Sequence, residues 1–238
     1  YTILNAGGDL TIGAGTTVSA DRGCLYLSGE GNTVINGGSF TNEDIQSKLD
    51  PYGRTLTSHV VCVAYGANNK LTINDGTFNH AFANTDGGVV VCNMSAVTVD
   101  INGGDFSGGK YYGIWDNLSD YGYGMTSKPF AVKGGTFTGF DNKYLADGYK
   151  ALLVDGIYHV LPEAIANAAT TAGVTTVTES STDVATAIAT NNGETTLYVW
   201  NDVAYVAKYG EVTISASAEG TTTTRAIVEG SAVETATV

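Results

Sequence analysis

The phrase Ile35-Asn36-Gly37-Gly38-Ser39-Phe40 decides the fold class, because it occurs four times with small changes. It returns as INDGTF at residues 73–78, INGGDF at residues 101–106 and VKGGTF at residues 132–137. The phenylalanines that end the phrases recur at intervals of 38, 28 and 31 residues. A phrase repeated at this spacing is typical of architectures in which each repeat stacks on its neighbours and insertions fall in loops.

Each phrase combines a strand pattern with a corner. Apolar and polar residues alternate before the glycines, which predicts a strand with one buried face. The Gly-Gly or Asp-Gly pair suits a corner that needs positive φ or close backbone approach, and the phenylalanine then returns inward. The predicted core residues of the repeat are Ile35, Phe40, Ile73, Phe78, Ile101, Phe106, Val132 and Phe137.

Three cysteines precede the phrases at similar offsets. Cys24 and Cys62 each lie 11 residues before the isoleucine of their phrase, and Cys92 lies 9 residues before it. These offsets predict that the three thiols stack in one column inside the fold as small buried hydrophobic residues. The spacing of Cys and His residues indicates neither a zinc site nor any other metal centre or cofactor.

The composition agrees with an all-β chain, since glycine is abundant, proline is scarce (3 residues) and charged residues are few. The phrases resemble the I-x-G-G-x-F repeats of right-handed parallel β-helix proteins from the surfaces of gut bacteria and from their phages. The segment from residue 134 to residue 160 is similar to a closing element of those proteins. The resemblance implies a right-handed parallel β-helix, a solenoid of stacked coils, and it carries no catalytic residue.

The sequence predicts three regions. Residues 1–160 form one parallel β-helix module, and residues 161–182 form an Ala/Thr-rich linker. Residues 183–238 resemble the N-terminal cap and first rung of a second β-helical module, with a short helix over residues 183–189 and strands after it. The first module lacks such a cap, so we expect the chain to be a piece of a longer tandem array; an unrelated small α+β tail is the alternative.

Charge limits the partners. The formal net charge of −13 argues against nucleic acid as a partner, and no apolar run is long enough to span a bilayer. We expect an extracellular location, on a cell surface or a virion. The expected partners are copies of this chain or sibling modules in a fibre, with a host glycan or surface protein as a further partner.

Catalysis is not expected from the sequence. Asn84-Thr85-Asp86 matches the first acidic motif of polygalacturonases, but the Asp-Asp pair and the basic motifs of that family are missing. The three histidines occur singly, and no spacing assembles a nucleophile with a base. The chain is therefore predicted not to be an enzyme.

An aromatic loop is the candidate contact surface. Five aromatic residues lie among glycines and acids in one insertion, where flat side chains suit a sugar or a protein partner. The alternative is that these residues pack against the fold, and the acids of the loop match no known Ca²⁺ motif. The five residues are Tyr111, Tyr112, Trp115, Tyr121 and Tyr123.

The functional prediction is a non-enzymatic structural or adhesive module of an extracellular fibre or filament, able to assemble head to tail. The first alternative is a carbohydrate-binding or carbohydrate-cleaving β-helix of the tailspike type, and the second is a phage capsid decoration protein.

Overall fold

The computed structural model describes residues 1–43, 59–81, 89–108, 113–116, 128–154, 156–163 and 166–167, and six strands between residues 174 and 226. It confirms an all-β chain built largely of parallel sheets. The described chain divides into two units, residues 1–151 with 157–160 and residues 152–156 with 161–238. None of the helical turns in the described part of the chain has the length and apolar character that a bilayer crossing requires.

The strands are β1 (Ile3–Asn5), β2 (Leu10–Ile12), β3 (Thr17–Ala20), β4 (Leu25–Leu27), β5 (Glu30–Asn42), β6 (His59–Val63), β7 (Asn68–His80), β8 (Val89–Asn93), β9 (Val99–Ile101), β10 (Asp105–Gly108), β11 (Ile114–Asp116), β12 (Phe130–Val132), β13 (Thr136–Phe137), β14 (Tyr149–Val154), β15 (Ile157–Pro162), β16 (Val174–Thr178), β17 (Thr186–Thr190), β18 (Thr195–Trp200), β19 (Val203–Lys208), β20 (Val212–Ala216) and β21 (Thr222–Ala226). One turn of 3₁₀ helix spans Asn142–Tyr144.

The apolar runs that precede the phrases form a five-stranded sheet in the order β1-β4-β6-β8-β11. Every pair in it is parallel, and Leu25, Val61, Val91 and Ile114 lie opposite one another on successive strands. All four side chains are fully buried. Parallel strands covered on both faces read as continuous apolar runs, which explains the Val-Val-Cys-Val and Val-Val-Val-Cys sequences of β6 and β8.

The phrases themselves form the second sheet. The long strands β5 and β7 run through the glycine corner without a break, and the register between them shifts there, after Ile35 and again before Ser39. Before the corner, four buried aliphatic residues lie opposite one another in consecutive repeats. This aliphatic column consists of Ile35, Ile73, Ile101 and Val132.

After the corner, four phenylalanines form the phenylalanine column. Phe40, Phe78, Phe106 and Phe137 lie opposite one another on successive strands and are buried. Their ring centroids are 5.0, 4.9 and 4.7 Å apart along the column, and neighbouring ring planes differ by 3°, 4° and 5°. The rings therefore stack with nearly parallel planes at the spacing between adjacent parallel strands.

The glycine at the fourth position of each phrase makes this stacking possible. Gly38, Gly76, Gly104 and Gly135 have φ of +108°, +130°, +103° and +98°, and we call them the glycine column. A Cβ on Gly76, Gly104 or Gly135 would lie 3.1, 2.9 or 2.6 Å from the carbonyl oxygen of the preceding glycine in the column. Only glycine tolerates both this backbone conformation and this approach.

The second sheet changes from parallel to antiparallel pairing after β13. Strand β15 pairs with β13 in antiparallel register, so that Thr136 lies opposite His159 and Phe137 lies opposite Tyr158. Phe140 extends the aromatic stack, with its ring centroid 4.8 Å from Phe137 and 6.3 Å from Tyr158. The sheet order then finishes with β14.

The second unit differs from what the sequence predicts. Its strands β16-β17-β18-β19 form an antiparallel sheet, and β20 pairs with β21 in a second antiparallel pair. The prediction of a helix over residues 183–189 is wrong, because Thr186–Thr190 is a strand. Its Thr-Ala-Ile-Ala-Thr sequence alternates with period two and carries β-branched residues, which favour a strand. The predicted linker also contains strand β16.

We predict that Gly104→Ala lowers the free energy of unfolding by about 1–3 kcal/mol, because the new methyl group meets the Gly76 carbonyl oxygen and strains the backbone. Gly15→Ala is the matched control, since Gly15 is exposed, has no positive φ and has open space around its Cβ position. Urea denaturation followed by circular dichroism measures both. Equal stability of the two variants would contradict the glycine column as the constraint on register.

We also predict that Phe78→Ala costs about 3–5 kcal/mol, because it removes a ring that stacks on two neighbours. Tyr65→Ala removes an aromatic side chain that is 71% exposed and is expected to change stability by less than about 0.5 kcal/mol. The same denaturation experiment compares them. A loss at Phe78 no larger than at Tyr65 would show that the stack contributes little.

Candidate functional site

One line of residues lies across the five-stranded sheet beside the buried Leu25–Val61–Val91–Ile114 line. Tyr26 pairs with Cys62, Cys62 pairs with Cys92, and Cys92 pairs with Trp115. Side chains of neighbouring positions on a strand point to opposite faces, so this line lies on the face away from the aliphatic residues. Both cysteines are nevertheless completely buried.

The three cysteines do not form the predicted column. Cys24 precedes the position that pairs with Val61, and Tyr26 takes the place opposite Cys62. The turn that follows β6 is two residues longer than its counterpart after β4, since Leu27 pairs with Val63 but Glu30 pairs with Asn68. Equal sequence offsets therefore do not correspond to equal positions on the sheet.

Cys24 belongs to the aliphatic core, whereas Cys62 and Cys92 lie outside it. The Cys24 thiol donates to the carbonyl oxygens of Thr41 at 3.3 Å and Val18 at 3.7 Å. Burial raises the pKa of this thiol from its ordinary value of 9.0 to about 11. Cys24 is thus a small core residue, as the sequence predicts for all three.

His59 joins the other two cysteines. One ligand atom each of His59, Cys62 and Cys92 lies within 4.8 Å of the other two, and all three residues are buried. We call them the thiol cluster. His59 and Cys62 share β6, whereas Cys92 lies on β8, so the cluster joins two consecutive repeats. These donor types bind soft and borderline metal ions.

Strict alternation along β6 would put His59 and Cys62 on opposite faces, because they are three positions apart. The alternation is broken between them, since Val60 and Val61 both belong to the aliphatic core. The residue before this pair and the residue after it therefore face the same side. The motif His59-Val60-Val61-Cys62 is visible in the sequence, but sequence reasoning missed it because its geometry depends on this break.

Tyr1 borders the thiol cluster. Tyr1 is 50% exposed as a whole, but its phenol hydroxyl lies beside the Cys62 thiol, where desolvation and that thiol raise the pKa of the phenol. Its ring stacks at a tilt on Tyr26, with the centroids 4.9 Å apart. A Cβ on Gly23 would collide with this ring and would lie 2.9 Å from the His59 carbonyl oxygen, so glycine is required there for Tyr1 to reach the cluster.

The aromatic contact residues predicted from the sequence are only partly described. Trp115 lies on β11 opposite Cys92 and is partly buried, while its neighbour Ile114 is fully buried. The four tyrosines Tyr111, Tyr112, Tyr121 and Tyr123 lie outside the described residues. Asp116 is buried, and its backbone N–H donates to the Tyr144 hydroxyl at 3.0 Å. The Asn84-Thr85-Asp86 motif also lies outside the described residues.

The raised pKa of Cys24 predicts a pH dependence of stability. An exposed thiol in the unfolded chain ionises near pH 9.0, whereas the folded chain keeps Cys24 protonated until about pH 11. The contribution of this thiol is therefore complete below pH 9 and is lost as the pH rises toward 11. We expect the unfolding free energy of the wild type to fall over this interval relative to Cys24→Ala, measured by urea denaturation at a series of pH values. A difference independent of pH would contradict the burial of this thiol.

No protein-family model, no curated protein and no solved structure matches this chain.

Proposed function

We propose that this chain is a non-enzymatic structural and adhesive module of an extracellular fibre or filament, on a bacterial surface or a phage particle. Its two parallel sheets would then be faces of a right-handed parallel β-helix that acts as a rigid rod. The observation that carries the proposal is the register of the phrases across four repeats, in which aliphatic, phenylalanine and glycine columns run side by side.

The topology supports a solenoid. Consecutive strands of each sheet come from consecutive repeats, so the chain leaves a sheet and returns to it parallel, one strand further along. Crossovers of this kind are right-handed almost without exception. Stability in such a fold comes from contacts between neighbouring repeats, so the same construction supports a stiff body of any length.

Hydrogen bonds and an ion pair between polar side chains also connect successive repeats at the surface. The exposed amides of Asn36, Asn74 and Asn102 are hydrogen-bonded in series, at 2.7 Å between the first two and 2.8 Å between the last two. Lys70 and Asp100 make an ion pair of 3.1 Å between adjacent repeats. Individually these exposed contacts contribute little, but they repeat the same register that the core sets.

An edge for assembly lies at strand β1. In the described part of the chain, β1 pairs with β4 on one side, and its central residue Leu4 is 63% exposed. The backbone groups of an edge strand can pair with a strand of another copy or module. We propose this edge as the place where head-to-tail assembly occurs.

Electron microscopy of the purified protein, with intact mass on the same sample, tests the function. We expect regular filaments or rods in the wild type. Leu4→Lys places a charge in the centre of the edge strand and is expected to abolish filaments while leaving the circular dichroism unchanged. Tyr65→Lys is the matched control, because Tyr65 is similarly exposed but lies in the turn after β6.

Two outcomes would contradict the proposal. Discrete particles of 24.6 kDa at every concentration would remove the filament function and favour the carbohydrate-binding alternative, to be examined with a glycan array. Material that associates only with virions would favour the capsid decoration alternative. Filaments that persist in Leu4→Lys would retain the fibre function but exclude the β1 edge as the contact.

A further inference from the structure

We propose that His59, Cys62 and Cys92 form a zinc site that ties the repeat containing β6 to the repeat containing β8. Their ligand atoms already lie within 4.8 Å of one another, and all three side chains belong to the described, fully buried part of the sheet. Binding requires only that three neighbouring donors close around one ion. The site is independent of any contact between copies of the chain.

The donor set selects the ion. Imidazole nitrogen and two cysteine sulfurs suit Zn²⁺, whereas Mg²⁺ and Ca²⁺ require oxygen ligands. Charge favours Zn²⁺ over Cu⁺, because two thiolates and a neutral imidazole cancel the charge of a divalent ion, whereas a monovalent ion would leave a buried negative charge. Zinc takes four ligands, so one position remains for the Tyr1 phenol beside Cys62 or for a water molecule.

The surroundings distinguish this cluster from ordinary buried cysteines. Cys24 shows the ordinary case, since it packs in the aliphatic core and its thiol donates to backbone carbonyls. Cys62 and Cys92 lie outside that core, opposite each other on parallel strands, with a histidine beside them. Adjacent strands hold opposite residues about 4.8 Å apart, which is close enough for two sulfurs to reach one ion.

Zinc binding would add a cross-link between two repeats that hydrogen bonds, packing and the Lys70–Asp100 ion pair already join. An ion that binds only the folded chain stabilises it in proportion to the logarithm of its free concentration. The thiols lose their protons on binding, so the affinity rises with pH. We therefore expect the midpoint of thermal unfolding to rise with added Zn²⁺ and the rise to be larger at pH 8 than at pH 6.

The experiment uses the full chain, reduced and freed of metal with a chelator, and checked by circular dichroism. Isothermal titration with Zn²⁺ is expected to show one site per chain. Co²⁺ serves as a spectroscopic probe and is expected to give thiolate charge-transfer bands and intense visible bands of a tetrahedral site. Cys62→Ala, Cys92→Ala and His59→Asn are each expected to weaken Zn²⁺ binding by at least about 100-fold.

Matched controls come from the same chain. Cys24→Ala removes a buried thiol outside the cluster, and His80→Asn replaces a buried histidine on β7, which belongs to the other sheet. Both are expected to bind Zn²⁺ as the wild type does. If a cluster variant fails to fold, the Co²⁺ spectrum of the wild type decides, because only thiolate ligands give the charge-transfer bands.

The proposal is overturned if the reduced, folded wild type takes up no Zn²⁺, or takes up Cu⁺ alone. It is also overturned if folded Cys62→Ala or Cys92→Ala binds Zn²⁺ as tightly as the wild type, or if Cys24→Ala loses binding to the same degree. A Cys62–Cys92 disulfide found by peptide mapping of native material would exclude the site. None of these outcomes bears on whether the protein forms filaments.

Discussion

Backbone contact at the glycine column is the constraint on which the rest of the structure depends. At these positions the Cα of one repeat faces the carbonyl oxygen of the repeat before it, with no room for a side chain. This close approach fixes the height of each repeat against the next. The aliphatic column on one side of the corner and the phenylalanine column on the other can then stack in register over four repeats. Hydrophobic burial supplies the free energy, but the backbone contact determines which residues meet.

Much of this arrangement can be read from the sequence, because the phrase contains both the glycines and the residues that they align. The intervals between phrases vary by ten residues, yet Phe40, Phe78 and Phe106 remain stacked, since the extra residues lie elsewhere in each repeat. The cysteines could not be aligned in the same way. They lie across a turn whose length changes, so counting back from the phrase places Cys24 two positions from the residue that pairs with Cys62.

The thiol cluster could not be predicted from the sequence, for a different reason. Period-two alternation separates His59 from Cys62, and only the consecutive inward positions of Val60 and Val61 bring them to one side. Such breaks occur where a strand approaches a corner, and local propensity does not reveal them. The strand at Thr186–Thr190 shows the converse error: its alanines suggest a helix, although their alternation with β-branched residues favours a strand.

The difference in length between the turns after β4 and β6 has a consequence for how such a chain can evolve. Two additional residues after β6 displace neither the aliphatic column nor the phenylalanine column, because β7 resumes its pairing with β5 at Asn68, opposite Glu30, before the glycine corner is reached. Insertions between strands therefore have little effect on stability. A single residue gained or lost inside a phrase would instead turn its buried side chains outward. Selection can thus lengthen and diversify the lateral loops freely while the phrases stay nearly fixed, and whole repeats can be duplicated or lost by recombination without redesign of the core.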